Sequence, residues 1–279
     1  MTASARTFGP GDTAFVTGGA QGIGLGLARA LAQRGVRVAL ADVDTEKLAA
    51  AEAELAPRTR VVTVLLDVRD RVGFVEAADR VEAQLGPVSL LFNNAGIATG
   101  QHVTQMDYAG WDRVMGINLD GVGNGIQTFV PRMLARQQGG YVVNTASGAG
   151  IVEADTGFLY TASKFAVVGL SEALHRELAP FGIGVSALCP GRVATDIVRN
   201  SWGLDEPGSE HMDPAMRSAL EAGSQALQEG ASVEVVADLV LDAMSRDELY
   251  VFTDDELRGL LVARHERILA ALDRLPSKA

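Results

Sequence analysis

A single α/β domain, doubly wound around a seven-stranded parallel sheet with helices on both faces, is the expectation for these 279 residues. Three features lead to it. Short β-rich runs alternate with longer amphipathic ones, which is the rhythm of a strand-helix repeat. The β-rich runs are almost wholly apolar, as strands are when both faces are covered. The links between runs are short, which implies right-handed crossovers between parallel neighbours. The length suits one large domain with a core of its own, and 47% apolar residues is ordinary for a globular chain.

The rhythm opens with a strand at 13–17 and a helix at 22–34. It repeats as strand 36–41, helix 45–56, strand 60–66, helix 70–85 and strand 88–92. A helical stretch over 105–137 leads to a strand at 140–145, a helix at 158–180 and a strand at 183–188. The pattern then breaks. Residues 192–230 are rich in Gly, Pro, Asp and Glu around a few helical stretches, and so long an irregular insertion suits a lid over a substrate site. A helix at 232–245 and a seventh strand at 249–253 follow. Thr253, Asp254, Asp255 and Glu256 match a helix-capping box, so a C-terminal helix is expected over 254–275. Its Leu257, Leu260, Leu261, Ile268, Leu272 and Leu275 recur at helical spacing and should pack on the body or on another subunit. Residues 1–11 are small, polar and broken by Gly and Pro, and are expected to be flexible.

Charge and composition narrow the partners. The formal net charge is -11 with no basic run, a poor match to nucleic acid or an anionic membrane. No apolar run is long enough to span a bilayer, and the start lacks the apolar core of a signal peptide. The lone Cys189 cannot form an internal disulfide, and the expected location is the reducing cytoplasm. The histidines at 102, 175, 211 and 265 form no spaced pair, and no metal is expected.

Between the first strand and first helix, Gly18, Gly22 and Gly24 follow the pattern G-x-x-x-G-x-G, with Gln21 and Ile23 between them. Only glycine lets a chain turn that sharply while its backbone approaches a pyrophosphate, and the helix N-terminus adds unpaired N–H groups and a partial positive charge. Asp42 ends the second strand, where it can accept hydrogen bonds from an adenosine ribose. It would repel a 2'-phosphate by roughly 1 to 4 kcal/mol at about 4 Å, favouring NAD over NADP. Asp44 can cap the next helix. Asp67 and Val68 end the third strand, either beside an adenine or as a turn. Asn94, Ala95 and Gly96 end the fourth, where ligands of parallel sheets collect.

Tyr160 and Lys164 are four apart on a helix and share a face, and Ser147 follows the fifth strand. A free phenol has pKa of about 10, and bringing it near 7 takes roughly 4 kcal/mol. A lysine cation about 4 Å away supplies a contribution of that order. Ser147 could then hydrogen-bond the substrate oxygen as charge builds there.

With Asn118 and Pro190-Gly191, these features stand in the order and at the spacing of the short-chain dehydrogenases/reductases, which the chain resembles from about residue 11 to about 253. The resemblance implies a Rossmann fold and an NAD-dependent oxidoreductase working on alcohols and ketones. It implies that Tyr160 is the general acid/base, that Lys164 holds the nicotinamide ribose and lowers the tyrosine pKa, and that Ser147 orients the substrate. It also implies that Asn118 supports a water-linked proton path to Lys164. By the same resemblance Pro190, Gly191, Val193 and Thr195 would hold the carboxamide, and the pro-S hydride would be the one transferred.

The substrate should meet the loop after Ser147 and the 192–230 segment. Ile151, Val152, Phe158, Trp202, Leu204 and Met212 there suit a lipophilic alcohol or ketone. Glu153 and Asp155 are better read as surface carboxylates. The 129–134 stretch, the LYVF strand and the tail are similar to dehydrogenases that oxidise the benzylic alcohol of lignin-derived aryl ethers, so a bulky aryl or alicyclic secondary alcohol is expected. The long helices from 105 and 158 resemble those that pair between subunits in the family, which favours a homotetramer, then a homodimer. Two other readings keep the scaffold: an NAD-sensing binding protein without turnover, and a dehydratase or epimerase.

Overall fold

The computed structural model describes residues 6–100, 103–153 and 156–275. Within them seven parallel strands form one sheet in the order β3-β2-β1-β4-β5-β6-β7. They are β1 (Thr13–Thr17), β2 (Arg37–Asp42), β3 (Val61–Leu65), β4 (Leu90–Asn93), β5 (Gly140–Thr145), β6 (Ile183–Cys189) and β7 (Tyr250–Phe252). The order reverses at β1, where β2 pairs on one side and β4 on the other. At that reversal the crossovers leave by opposite faces and open a crevice.

Alternation along the strands shows the double winding. Ala14 and Val16 of β1 join a core on one face, with α1 (Gly22–Gln33) and α9 (Val233–Arg246). Phe15 between them points to the other face, into a core with α3 (Arg71–Leu85) and α5 (Gly121–Arg136). There its ring centre lies 4.7 Å from that of Phe129 and 6.0 Å from that of Phe74. Full burial of such a ring contributes about 1.5–3 kcal/mol.

Several helix starts carry side-chain caps: Asp44 accepts from the Lys47 N–H at α2 (Thr45–Leu55), Asp70 from Val72 and Gly73 at α3, and Asp107 from Gly110 at α4 (Tyr108–Met115). Asp213 caps α8 (Pro214–Gln228) and Ser232 caps α9. By contrast α1, α6 (Phe158–Leu178) and α7 (Ile197–Trp202) begin at the crevice with no side-chain cap. The expected helix over 105–137 is interrupted by a π turn at Gly116–Asp120 between α4 and α5.

One expectation is corrected near the C-terminus. The capping box at 253–256 does not form: the Thr253 hydroxyl takes the Gly191 N–H, and Asp254 takes the Glu256 N–H. The last helix, α10 (Arg258–Leu272), therefore starts later, without a side-chain cap. Its Leu260, Val262, Ile268, Leu269 and Leu272 are exposed, so it does not bury its apolar residues against the body of this chain. Of the stretch 1–11, Arg6 and Phe8 make contacts with the body. Arg6 donates to the carbonyls of Gly140 and Gly182 at 3.0 and 3.1 Å, and Phe8 packs edge-on against Tyr141.

Candidate active site

A cleft of about 1120 Å³ follows the carboxyl ends of the strands. Every expected catalytic and cofactor-binding residue lines it except Gly24 and Asn118.

At the glycine turn the reasons for glycine are steric. Gly18 has φ +61°, and a Cβ there would lie 2.9 Å from Ala95 Cα; a Cβ on Gly24 would overlap the Gly18 carbonyl oxygen. The turn is locked to the end of β4. Thr17 Oγ1 accepts from the Asn94 and Ala95 N–H groups at 2.9 and 3.0 Å, and Asn94 Nδ2 donates to the Thr17 and Gly18 carbonyls at 3.1 and 3.3 Å. Gln21 precedes α1 without capping it, so the leading N–H groups of the helix are left for whatever lies in the cleft.

Asp42 is buried and braces this turn. Its Oδ2 accepts from the Ala20 N–H at 3.1 Å, and its Oδ1 from Val43 and Asp44 at 2.8 and 3.3 Å. A carboxylate has about four lone-pair positions, so one remains on Oδ2 for a ribose hydroxyl. Asp67 is held by Arg69, whose Nε lies 3.0 Å from both carboxylate oxygens and whose terminal nitrogen lies 2.6 Å from one. That hydrogen bonding holds the Asp67 carboxyl below its ordinary pKa. Arg69, not anticipated from the sequence, also lines the cleft beside Val68.

At the other end Tyr160 and Lys164 share a face of α6, as their spacing requires. Lys164 is 3% exposed, and its Nζ donates to the Thr145 carbonyl at 2.9 Å. That Nζ sits 5.7 Å from the centre of the Tyr160 ring. Burial lowers the Lys164 pKa to about 8. In the chain by itself burial raises the Tyr160 pKa, against a lowering hydrogen bond from Ser147.

Asn118 lies in the π turn and is fully buried. Such turns widen a helix by one residue and often occur at functional sites. The Asn118 Oδ1 accepts from the Ile97 N–H at 2.9 Å, and its Nδ2 donates to the Ile97 carbonyl at 3.0 Å and to Ser163 Oγ at 3.2 Å. Ser163 in turn donates to the Tyr160 carbonyl at 2.7 Å. Gly96 fits between this amide and Lys164: a Cβ there would be 3.4 Å from Asn118 Oδ1 and from Lys164 Nζ.

The substrate wall differs most from expectation. Trp202 lines the cleft, whereas Ile151, Val152, Phe158, Leu204 and Met212 do not. Val152 and Leu204 are each 1% exposed and serve packing instead. The apolar lining comes from Ile97 and Ala98 after β4, Ala219, Leu220 and Leu227 of α8, and Leu257 after β7. Leu257 lies against Gly148, next to Ser147, where a Cβ would overlap its Cδ1. Glu153 is exposed, as expected; Asp155 and His102 lie outside the described residues. Among the described residues no group of three His, Cys, Asp or Glu is placed to hold a metal, and no helix is long and apolar enough to cross a membrane.

Known proteins with this architecture place it. The profile of the short chain dehydrogenase family matches residues 12–203. The C alpha-dehydrogenase of Sphingobium sp. is 31% identical over 268 residues, 95% of this chain and 88% of the relative. The 3beta-hydroxysteroid dehydrogenase 2 of Eggerthella lenta is 36% identical over 207 residues, 74% of this chain and 78% of its own. A short chain dehydrogenase/reductase from Burkholderia phymatum, crystallised with NAD, superposes with a TM-score of 0.85 at 32% identity over 98% of both chains. The chain belongs to the short-chain dehydrogenases/reductases, as an oxidoreductase of alcohol and ketone substrates.

Proposed function

We propose that the chain is an NAD-dependent dehydrogenase/reductase of lipophilic secondary alcohols and ketones, with Tyr160 as its general acid/base. The observation that carries this reading is the convergence of Tyr160, Ser147 and Lys164 on one end of a cleft whose other end is the glycine turn braced by Asp42. The cradle suits a dinucleotide: side chains at Gly18 or Gly24 would fill it, and the start of α1 is uncapped. Gly18 to Gly24 would hold the pyrophosphate, Asp42 the adenosine ribose, and Asp67 with Val68 the adenine. Asn94 to Gly96 and Lys164 would hold the nicotinamide ribose, and Pro190, Gly191, Val193 and Thr195 the carboxamide. The carboxylate of Asp42, and the absence of Arg or Lys from the glycine turn, favour NAD over NADP.

When bound, the nicotinamide supplies the two-electron chemistry and, in its oxidised form, a positive charge beside the phenol. The protein supplies position and protons. In reduction Tyr160 donates its proton to the new alkoxide, a role suited by a phenol that burial keeps protonated. In oxidation the phenolate takes the hydroxyl proton, while Ser147 donates a hydrogen bond that stabilises the anion. Lys164, anchored on Thr145, holds its charge in a fixed place. Asn118 fixes both Ile97 and, through Ser163, the backbone of Tyr160.

The apolar wall of Ile97, Leu220, Leu227 and Leu257 supports a bulky aryl or alicyclic substrate, and the 3beta-hydroxysteroid dehydrogenase of Eggerthella supports the alicyclic class. The exposed apolar residues of α10 support self-association, with a homotetramer expected by sedimentation. A spectrophotometric screen of secondary alcohols with NAD and with NADP tests the reading. NAD-linked turnover is expected. Binding without turnover across the panel would overturn it in favour of a sensor; product without net change in nicotinamide absorbance would mean dehydration or epimerisation.

A further inference from the structure

We propose that Gln21, Lys47 and Asn200 are positioning residues that latch the short helix α7 across the dinucleotide crevice and so set how fast the dinucleotide leaves. The inference rests on the cofactor reading above and assigns to it a determinant of release.

Helix α7 lies over the cleft with neighbouring residues tied to opposite lips. On the adenosine side, Asn200 Nδ2 donates to Gln21 Oε1 at 3.1 Å. Lys47 Nζ donates to the same oxygen at 2.9 Å and to Asn200 Oδ1 at 3.4 Å. The three side chains come from three separate segments: Gln21 before α1, Lys47 in the first turn of α2, and Asn200 in α7. The Lys47 Nζ is itself held 3.3 Å from Asp44, the residue that caps α2. On the opposite lip, Ser201 Oγ accepts from the Ala98 N–H at 2.9 Å, and the Ser201 carbonyl accepts from Arg113 at 2.9 Å.

The two lips differ in kind. Ser201 is 6% exposed and is bonded through its backbone as well as its side chain. Asn200 is exposed and, apart from the helical bond of its N–H to the Asp196 carbonyl, is held by side chains. Opening should therefore begin at Asn200, with Ser201 as the hinge side. Gln21 explains the coupling to the cofactor. An N-cap residue ordinarily satisfies its own helix, but this one leaves the α1 N–H groups to the cleft and spends its amide oxygen on the latch. Loop and lid opening limits turnover in many enzymes.

The test measures NADH, by its protein-enhanced fluorescence, as excess NAD displaces it in a stopped-flow instrument. Asn200→Ala and Lys47→Ala should each raise the dissociation rate by about 2- to 10-fold, the range for one net hydrogen bond. The double variant should fall short of the product of the two, because the contacts share Gln21 Oε1. Asn200→Asp, which keeps an acceptor for Lys47, should stay closer to the native rate than Asn200→Ala does. In nucleotide-free protein, amide hydrogen exchange across 197–204 should quicken in both alanine variants. Native release rates and unchanged exchange in both would overturn the latch. A native chain that fails to bind NADH would overturn the cofactor reading instead, and the exchange measurement would still decide whether the three side chains hold α7 down.

Discussion

The two halves of the cleft are built from different materials. The nucleotide half is main chain: a turn at Gly18–Gly24 with no room for side chains, strand ends stitched by Thr17 and Asn94, and one carboxylate, Asp42, fastened to three backbone N–H groups. The substrate half is side chain: α7 tied by Asn200 and Ser201, α8 tied to Thr195 through Gln228, and the post-β7 segment tied by an ion pair between Arg192 and Glu256. Surface pairs of that kind contribute little each. One half is thus fixed by sterics that tolerate no substitution, and the other by weak contacts that can be exchanged singly. This separation lets one cofactor be kept while the substrate changes.

Substitutions can break or sharpen that contrast. The largest effect is expected where the halves meet: Tyr160→Phe should lower kcat by about 10²- to 10⁴-fold with dinucleotide affinity nearly native. Retained turnover with intact cofactor binding would remove Tyr160 from its role. In the rigid half, Gly24→Ala forces a Cβ onto the Gly18 carbonyl, at a cost of about 1–3 kcal/mol in stability. Calorimetry should show a lower Tm and titration a weaker NADH affinity; a native Tm would contradict the overlap. In the adaptable half, Leu257→Ala should leave NADH affinity unchanged and raise kcat/KM for bulky over small alcohols by roughly 10-fold, as a few carbons of apolar pocket are worth. An unchanged ratio would take Leu257 out of the substrate wall.

Two pH experiments carry smaller effects. Oxidation needs the phenolate, and burial raises the Tyr160 pKa while Ser147 lowers it. Ser147→Ala should therefore move the alkaline rise of the oxidation rate to higher pH; a shift downward would reverse the assigned sign. Lys164 has its pKa lowered by burial from 10.5 to about 8. Between those values the unfolded chain binds the proton and the folded one does not, so stability rises with pH across that window. Denaturant titrations of Lys164→Met should lose that rise, and a variant that keeps it would place the shift elsewhere.

What could be read from the sequence follows the same division. The glycine turn, Asp42, Tyr160 and Lys164 were legible because backbone geometry allows few residue types there, and helical periodicity fixes which side chains share a face. The strands were legible because burial on both faces leaves apolar runs with no alternation. The π turn around Asn118 left no trace in the pattern, since one inserted residue does not change hydrophobic period enough to see. Ile151, Val152, Phe158, Leu204 and Met212 looked like substrate contacts because apolar residues in a loop near a site carry no sign of which way they point. Leu257 was read as a helix-face residue, since nothing local says that Gly148 has left a space for it. Thr253 matched a capping box, but the Gly191 N–H claimed its hydroxyl, and local patterns cannot foresee a competitor 62 residues away.

The clamp made by Arg6 has a practical corollary. It grips Gly140 and Gly182, at the starts of β5 and β6, whereas the cleft opens at the strands' far ends. Six residues of strand span about 20 Å, so a tag, dye or solid support joined ahead of Arg6 would emerge on the side opposite the mouth. An immobilised catalyst anchored there would present its opening to the bulk solution.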